Sequence, residues 1–95
     1  MDRIFLQEID ADPVSAVRVA ALRVLGDRKE GSLVRYFESR FKAEDSYLAQ
    51  AEALRSIGKC GGRSSASLPR SAVLLKSPGN VLRDAATAAL RELER

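Results

Sequence analysis

Apolar and polar positions along the chain follow a helical spacing that occurs in three similar segments. These segments read DPVSAVRVAALRVLG at residues 12–26, EDSYLAQAEALRSIG at residues 44–58 and SPGNVLRDAATAALR at residues 77–91. Apolar residues three or four positions apart lie on one face of an α-helix. In the first segment this stripe comprises Val14, Val17, Ala21, Val24 and Arg28, and in the third it comprises Leu82, Ala85, Ala89 and Leu93. Each segment is therefore predicted to form a helix with one stripe facing a neighbour.

Proline and glycine mark the predicted ends of these helices. Pro13 and Pro78 each follow an acidic or hydroxyl residue. Proline suits the first helical position, because the N–H group that it lacks has no partner within the helix. Gly26 and Gly58 close the first two segments, and we predict that they adopt the left-handed conformation that ends a helix.

A second, weaker helical stripe precedes each of the three segments. Its members are Met1, Phe5 and Ile9, then Leu33, Phe37 and Phe41, then Leu68, Ala72 and Leu75. The third of these helices is predicted to be short, because Pro69 and Pro78 bracket it. Turns are predicted around residues 10–12, 26–31, 43–45, 58–67 and 76–79.

The three copies recur at a nearly constant interval. Gly26 aligns with Gly58 at an offset of 32 residues, and Arg18 aligns with Arg83 at 65, which leaves 33 for the second step. A fixed period in this range is typical of stacked repeats. We therefore predict an all-α single domain over residues 1–95, built as a right-handed stack of three helical hairpins (an α-α superhelix). The repeats span about residues 1–26, 30–59 and 67–93.

The composition limits the cellular locations and the kinds of catalytic or metal site that the chain can have. No apolar run approaches the roughly 18 residues of a membrane span, and MDRIFLQEIDADP lacks the basic and apolar regions of a secretory signal. A cytoplasmic location is predicted. The chain has no histidine and a single cysteine, which removes the commonest general base and metal ligand. No catalytic, cofactor-binding or metal-binding residue is therefore predicted.

The loop GKCGGRSS at residues 58–65 invites comparison with a phosphate-binding loop. That motif needs glycine where Ile57 stands and lysine where Arg63 stands, and it follows a strand rather than a helix. Nucleotide binding is not indicated. Cys60, between Lys59 and Arg63, is predicted to be an incidental, partly exposed thiol whose pKa the two cations can lower, with a risk of intermolecular disulfide formation.

The pattern Asp-Pro followed by Val-Arg-x-Ala-Ala-x-x-x-Leu-Gly resembles the HEAT-like repeats and covers essentially the whole chain. In that family the aspartate and the arginine six residues later often form a ladder between successive repeats. The matching pairs are Asp12 with Arg18, Glu44 with Gln50, and Ser77 with Arg83. Only the first copy keeps both charged members, so the resemblance implies a ladder that is incomplete after the first repeat.

A narrower resemblance rests on FKAEDSYLAQAEALRSIGKCGG and SPGNVLRDAATAALREL. These segments are similar to the C-terminal helical repeats of bacterial zinc aminopeptidases of the aminopeptidase N-like family. The resemblance implies an accessory domain that packs against a catalytic body located elsewhere. The zinc-binding HExxH motif is absent from this chain, so none of the family's catalytic residues has a counterpart here.

Charge is unevenly distributed along the sequence. The stretch between Glu52 and Asp84 has no acidic residue and six basic ones, so it carries +6, whereas the chain as a whole carries +3. The six are Arg55, Lys59, Arg63, Arg70, Lys76 and Arg83. Such asymmetry can recruit an anionic surface. The stretch contains no aromatic side chain to stack on bases, which argues against nucleic acid and favours an acidic protein surface or a neighbouring domain of the same chain.

The sequence therefore predicts a non-catalytic helical repeat module that acts as a protein-interaction or packing surface, within a larger zinc aminopeptidase-like protein. Two alternatives remain open: a free-standing adaptor, and a basic repeat array that binds nucleic acid or another anionic surface. Met1, Ile4, Phe5 and Leu6 form a dense apolar cluster. Because repeat arrays bury their core through neighbours, self-association through open ends is also predicted.

Overall fold

A computed structural model describes residues 13–95, and this part of the chain is all-α, as the spacing predicts. We number its helices α1 (Pro13–Asp27), α2 (Val34–Ala43), α3 (Tyr47–Cys60), α4 (Ser67–Ala72) and α5 (Val81–Leu93). Single 3-10 turns occupy Gly31–Leu33, Arg63–Ser65 and Pro78–Asn80. The predicted helix over residues 1–9 and the turn at 10–12 lie outside the described residues.

Helix α3 lies at the centre of the molecule. It packs between α1 and α5 and also contacts α2, while α4 packs against α5. Its side chains Leu54 and Ile57 are fully buried, as is Phe37 of α2. Alanines elsewhere in this core permit close approach of the helices, because a methyl group adds little to the helix radius. None of the helices between residues 13 and 95 combines the length and apolar character needed to cross a bilayer.

Several predicted stripes are buried. Phe37 and Phe41 of α2 lie in the core, as do Leu82, Ala85, Ala89 and Leu93 of α5. The stripe on α4 is buried only in part, since Ala72 is inaccessible whereas Leu75 is 45% exposed. Helix α4 ends at Ala72, so Leu75 follows the helix and is not positioned by it.

The start of α3 is set by a serine cap, whereas α5 begins after a left-handed turn. The Ser46 hydroxyl accepts a hydrogen bond from the Ala49 N–H group at 3.3 Å and caps α3. Helix α5 begins three residues after Pro78, so the predicted start was early by one turn. Gly79 and Asn80 intervene with φ values of 60° and 57°, and both residue types tolerate this left-handed conformation.

The predicted role of Gly26 and Gly58 as left-handed helix ends was wrong. Both lie inside helices, and the left-handed residue after α1 is Lys29, with φ of 55°. Their small size serves close packing instead. A Cβ atom on Gly58 would lie 2.7 Å from Ala89 Cα, and one on Gly26 would lie 2.5 Å from Ser56 Oγ.

The apolar stripe predicted on α1 also requires correction. The helix forms, but Val17 and Val24 are 68% and 65% exposed instead of facing a neighbour. The face of α1 directed at α3 carries Ser15, Leu22 and Gly26, which are buried. Ser15 and Gly26 are small and let α1 approach α3 closely. This face therefore packs against α3, and the valine stripe beside it does not.

Candidate interaction surface

A groove runs near the carboxyl ends of α1, α3 and α5 and encloses about 490 Å³. Its lining residues are Asp27, Lys29, Arg55, Lys59, Ala88, Ala89 and Glu92, which we call the mixed-charge groove. Asp27, Lys59 and Glu92 each directly follow one of the three similar segments, at offsets of 32 and 33 residues. The repetition in the sequence therefore places an acid, a base and an acid in one row across three helices.

The charges of this groove are largely compensated by near neighbours. Lys59 Nζ donates a hydrogen bond to Asp27 Oδ1 at 2.7 Å, and this contact holds the pKa of Asp27 below its ordinary value of 3.8. The pair therefore stabilises the fold above that value, and its contribution is lost as the pH falls through the lowered pKa. Glu92 pairs with Arg95 at 3.1 Å, and Arg55 lies 3.8 Å from Glu52.

The six basic residues of the acid-free stretch fall into two groups. Arg55, Lys59 and Arg70 each lie beside a carboxylate, the last at 3.2 Å from Glu94. Within residues 13–95, Arg63, Lys76 and Arg83 are exposed and have no acidic partner. Of the six, Arg55 and Lys59 line the mixed-charge groove. The charge excess seen in the sequence is thus partly neutralised in three dimensions.

The predicted ladder residues make different contacts from one copy to the next. Arg18 Nε donates to both carboxylate oxygens of Glu44, at 3.0 and 2.9 Å, and so joins the first copy to the second. Gln50 instead donates to the Phe41 carbonyl oxygen at 3.0 Å within its own hairpin. Among the described residues the Arg83 side chain has no hydrogen-bond or ion-pair partner, and Asp12 lies outside them.

Glu44, just before α3, has a buried carboxylate side chain. Its side chain is 1% exposed and receives Arg18 on one side and Arg40 Nη2, at 2.8 Å, on the other. A buried carboxylate needs such partners, because desolvation of an unpaired charge is costly. Nothing in the helical spacing indicated this burial. Glu52 in α3 is similar, with a side chain 4% exposed and 3.3 Å from Arg23.

Helices α1 and α3 are joined by a row of polar contacts that we call the α1–α3 seam. The hydroxyls of Ser15 and Ser46 are 2.7 Å apart, and Ser56 Oγ donates to the Leu22 carbonyl oxygen at 3.1 Å. The ion pairs of Arg18 and Arg23 flank these bonds. By contrast, no hydrogen bond or ion pair joins α3 to α5 in the described part of the chain.

The partly exposed, acidified thiol predicted at Cys60 was wrong. Cys60 is 8% exposed, and burial raises the pKa of its thiol, a larger effect than the lowering by Lys59. The sulfur lies 3.5 Å from the Gly26 carbonyl oxygen, to which the thiol donates. The sequence placed Cys60 in a loop, but it is the last residue of α3 and faces α1.

We therefore expect Cys60 to react slowly in the native chain. Its reaction with a disulfide reagent should be at least about tenfold slower than that of an exposed thiol. The buried thiol can ionise and meet the reagent only when the contact between α1 and α3 opens. The comparison is the Ser64→Cys substitution in a Cys60→Ser background, because Ser64 is exposed in the adjoining loop. Equal rates for the two thiols in native buffer would contradict the burial of Cys60.

The residues missed from the sequence are the acidic partners. The pairing of Asp27 with Lys59 could have been found, because the repeat offset places them in one row. Glu44 and Glu52 gave no such signal, since an acidic residue in an amphipathic helix is normally solvated. Their burial follows from which face each helix turns inward.

Between residues 13 and 95, no three cysteine or carboxylate side chains gather where they could hold a metal ion. No protein-family model matches the chain, and no curated protein or solved structure is significantly similar to it. The case for a function therefore rests on the packing and charge of the residues described above.

Proposed function

We propose that the chain is a non-catalytic, HEAT-like helical repeat module that provides an interaction or packing surface for another protein or domain. The observation that carries this proposal is the row formed by α1, α3 and α5, in which equivalent residues of successive copies lie side by side. Asp27 and Lys59 of this row are in direct contact. In a stacked array such a row forms one continuous binding face.

The chemistry of the mixed-charge groove favours a protein partner. Its lining combines three basic side chains with two acidic ones, and the acidic Asp27 and Glu92 would repel the phosphates of a polyanion. A protein surface with its own mixed charges can match both signs. Lys29 lies near enough to Asp27 to help lower its pKa but makes no direct ion pair in residues 13–95, so a carboxylate of the partner can pair with it.

The parent protein is part of the same proposal. The alanine-rich segments at residues 41–62 and 77–93 resemble the C-terminal repeats of aminopeptidase N-like zinc enzymes. We propose that this module serves such an enzyme as an accessory domain. An immunoblot of native extract would test this point, because an antigen far larger than the 10.4 kDa of this chain is expected. A band near that mass would favour the free-standing adaptor.

A photo-crosslinking amino acid at Ala88, in the mixed-charge groove, tests the proposed surface. Irradiation in the native cells should give one protein adduct of defined mass, which the Lys29→Glu substitution should weaken. The matched control is the same crosslinker at Ser64, which is exposed and outside this groove. Adducts of equal yield from both positions would contradict a groove-specific partner.

The anion-binding alternative has a separate test. Binding to duplex DNA should strengthen steeply as salt is lowered, by about one unit of logarithmic slope for each phosphate contacted. Arg63, Lys76 and Arg83 are the free cations that would make those contacts. If they bind DNA with this salt dependence and the Ala88 crosslinker gives no protein adduct, the polyanion function replaces the protein-binding one.

A further inference from the structure

One face of α1 is apolar and exposed. It consists of Val17, Ala20, Ala21 and Val24, which we call the α1 apolar face. The two valines are 68% and 65% exposed, and both alanines are exposed as well. These residues are three or four positions apart, so they form one continuous strip along about two turns of helix.

The same positions are buried on the other two helices of the row. The equivalents of the α1 apolar face are Ala49, Glu52, Ala53 and Ser56 on α3, and Leu82, Ala85, Ala86 and Ala89 on α5. All eight are buried. Ser56 contacts α1 and Ala89 contacts Gly58 of α3, so these faces pack against the preceding helix of the row. By this comparison the α1 apolar face is a helix-packing face that no other helix between residues 13 and 95 covers.

The opposite end of the row cannot supply that partner from another copy. The α5 positions equivalent to Val19, Leu22 and Gly26 of α1 are Asp84, Thr87 and Arg91. Asp84 and Arg91 are exposed and charged. Stacking α5 of one copy on α1 of the next would bury both charges against valine and alanine, which is unfavourable. Head-to-tail assembly is therefore excluded as the arrangement.

The α1 apolar face is complementary to itself. If two copies of α1 lie antiparallel with a two-fold axis between Ala20 and Ala21, Val17 of each copy lies opposite Val24 of the other. Ala20 then lies opposite Ala21, so the small residues allow close approach at the axis and the valines fill the space on either side. A two-fold interface needs this kind of self-complementarity.

The charges beside the face oppose such a pair only weakly. The same axis relates Arg18 to Arg23, the two cations that flank the strip. Each is already held by a buried carboxylate of α3, since Arg18 binds Glu44 at 2.9 Å and Arg23 lies 3.3 Å from Glu52. Glu44 is shared with Arg40 and Glu52 with Arg55, so these carboxylates reduce, without cancelling, the repulsion between Arg18 of one copy and Arg23 of the other.

We propose that the α1 apolar face binds a second copy of this chain as an antiparallel, two-fold α1–α1 pair. Four side chains per copy cover less area than the roughly 1,200 Å² of a stable interface. The dimer is therefore weak, with a dissociation constant on the order of 0.1 mM. The inference does not depend on the proposed protein-binding function, because it concerns a different surface from the mixed-charge groove.

Sedimentation equilibrium of the full chain, from about 10 µM to about 1 mM, tests the proposal. A concentration-dependent monomer–dimer equilibrium is expected. Val17→Glu should raise its dissociation constant at least about tenfold, because a two-fold dimer contains each substitution twice. Leu74→Glu is the matched control, because Leu74 is apolar and 83% exposed but is not part of α1, and it should leave the equilibrium unchanged. A monomer at every concentration, or equal effects of the two substitutions, would overturn the proposal.

Disulfide trapping tests the orientation independently of stability. In a Cys60→Ser background, a mixture of the Val17→Cys and Val24→Cys chains should oxidise to the mixed dimer, since these positions face each other across the axis. Either chain alone should form little. Preferential trapping of Val17→Cys with itself would indicate a parallel pair and overturn the antiparallel arrangement.

Discussion

Gly58→Ala should destabilise the chain by about 2–3 kcal/mol, although alanine is the better helix former by about 1 kcal/mol. The added Cβ atom would lie 2.7 Å from Ala89 Cα and 3.1 Å from Ala89 Cβ. The close contact is with backbone, which cannot rotate away, so α3 and α5 must separate. This separation loosens the central packing of a domain whose total stability is only about 5–10 kcal/mol. Urea unfolding followed by circular dichroism measures the change.

Alanine substitutions at two other glycines serve as comparisons for the loss of stability expected at Gly58. Gly26→Ala brings the new methyl group 2.5 Å from Ser56 Oγ, which can turn, and 3.0 Å from Ser56 Cβ, which cannot. A smaller loss than at Gly58 is expected, because the nearest backbone atom is 3.3 Å away instead of 2.7 Å. Gly62→Ala meets nothing within 4 Å and should be close to neutral. The order of destabilisation should therefore be Gly58, then Gly26, then Gly62. A Gly58→Ala chain as stable as the wild type would show that α3 and α5 are not in close contact.

Glu44→Ala should cost about 3 kcal/mol, the usual effect of removing one partner from a buried ion pair. The Glu44 side chain is 1% exposed, and its loss leaves Arg18 and Arg40 close together with no carboxylate between them. These arginines keep some access to water, with side chains 30% and 34% exposed, which limits the penalty. Thermal unfolding at neutral pH and low salt measures it.

The control for Glu44 is an ion pair on the surface. Glu30→Ala removes the partner of Arg28, but both side chains are largely exposed, so a change below about 0.5 kcal/mol is expected. A double-mutant cycle of Glu44→Ala with Arg18→Ala then isolates the link between the first and second copies. Equal effects of the Glu44 and Glu30 substitutions would contradict the burial of the Glu44 pair.

The sequence predicted the helices better than their contacts. Periodicity identified all five helices α1 to α5, because apolar spacing indicates that one side of a helix is buried. It did not identify the correct face of α1, where Ser15, Leu22 and Gly26 pack inward and the valines point to solvent. Both faces are mostly apolar or small, and the choice between them depends on which neighbour fits, which a single segment does not encode.

The glycines and acidic residues show the same limit. Gly26 and Gly58 stand where a helix stop is common, yet the chain uses them for close helix contacts at Ser56 and Ala89. The burial of Glu44 depends on arginines 26 residues before it and four residues before it, and only folding brings the three together. The row of Asp27, Lys59 and Glu92 could be predicted from the repeat offset, because aligning the three segments is enough to find it. Knowledge of which helix faces are buried is not needed.

We expect the α1–α3 seam to divide the molecule into two cooperative parts of unequal stability. Each of its hydrogen bonds contributes only about 1 kcal/mol net, because water can replace it. The contact of α3 with α5 instead buries alanine, leucine and isoleucine. Backbone amides of α1 should thus exchange hydrogen with solvent through openings that leave α3 and α5 together. During such an opening α3 presents a ready site for any helix with serine, leucine and glycine spaced as in α1, so the seam allows one chain to take up the α1 of another by domain swapping.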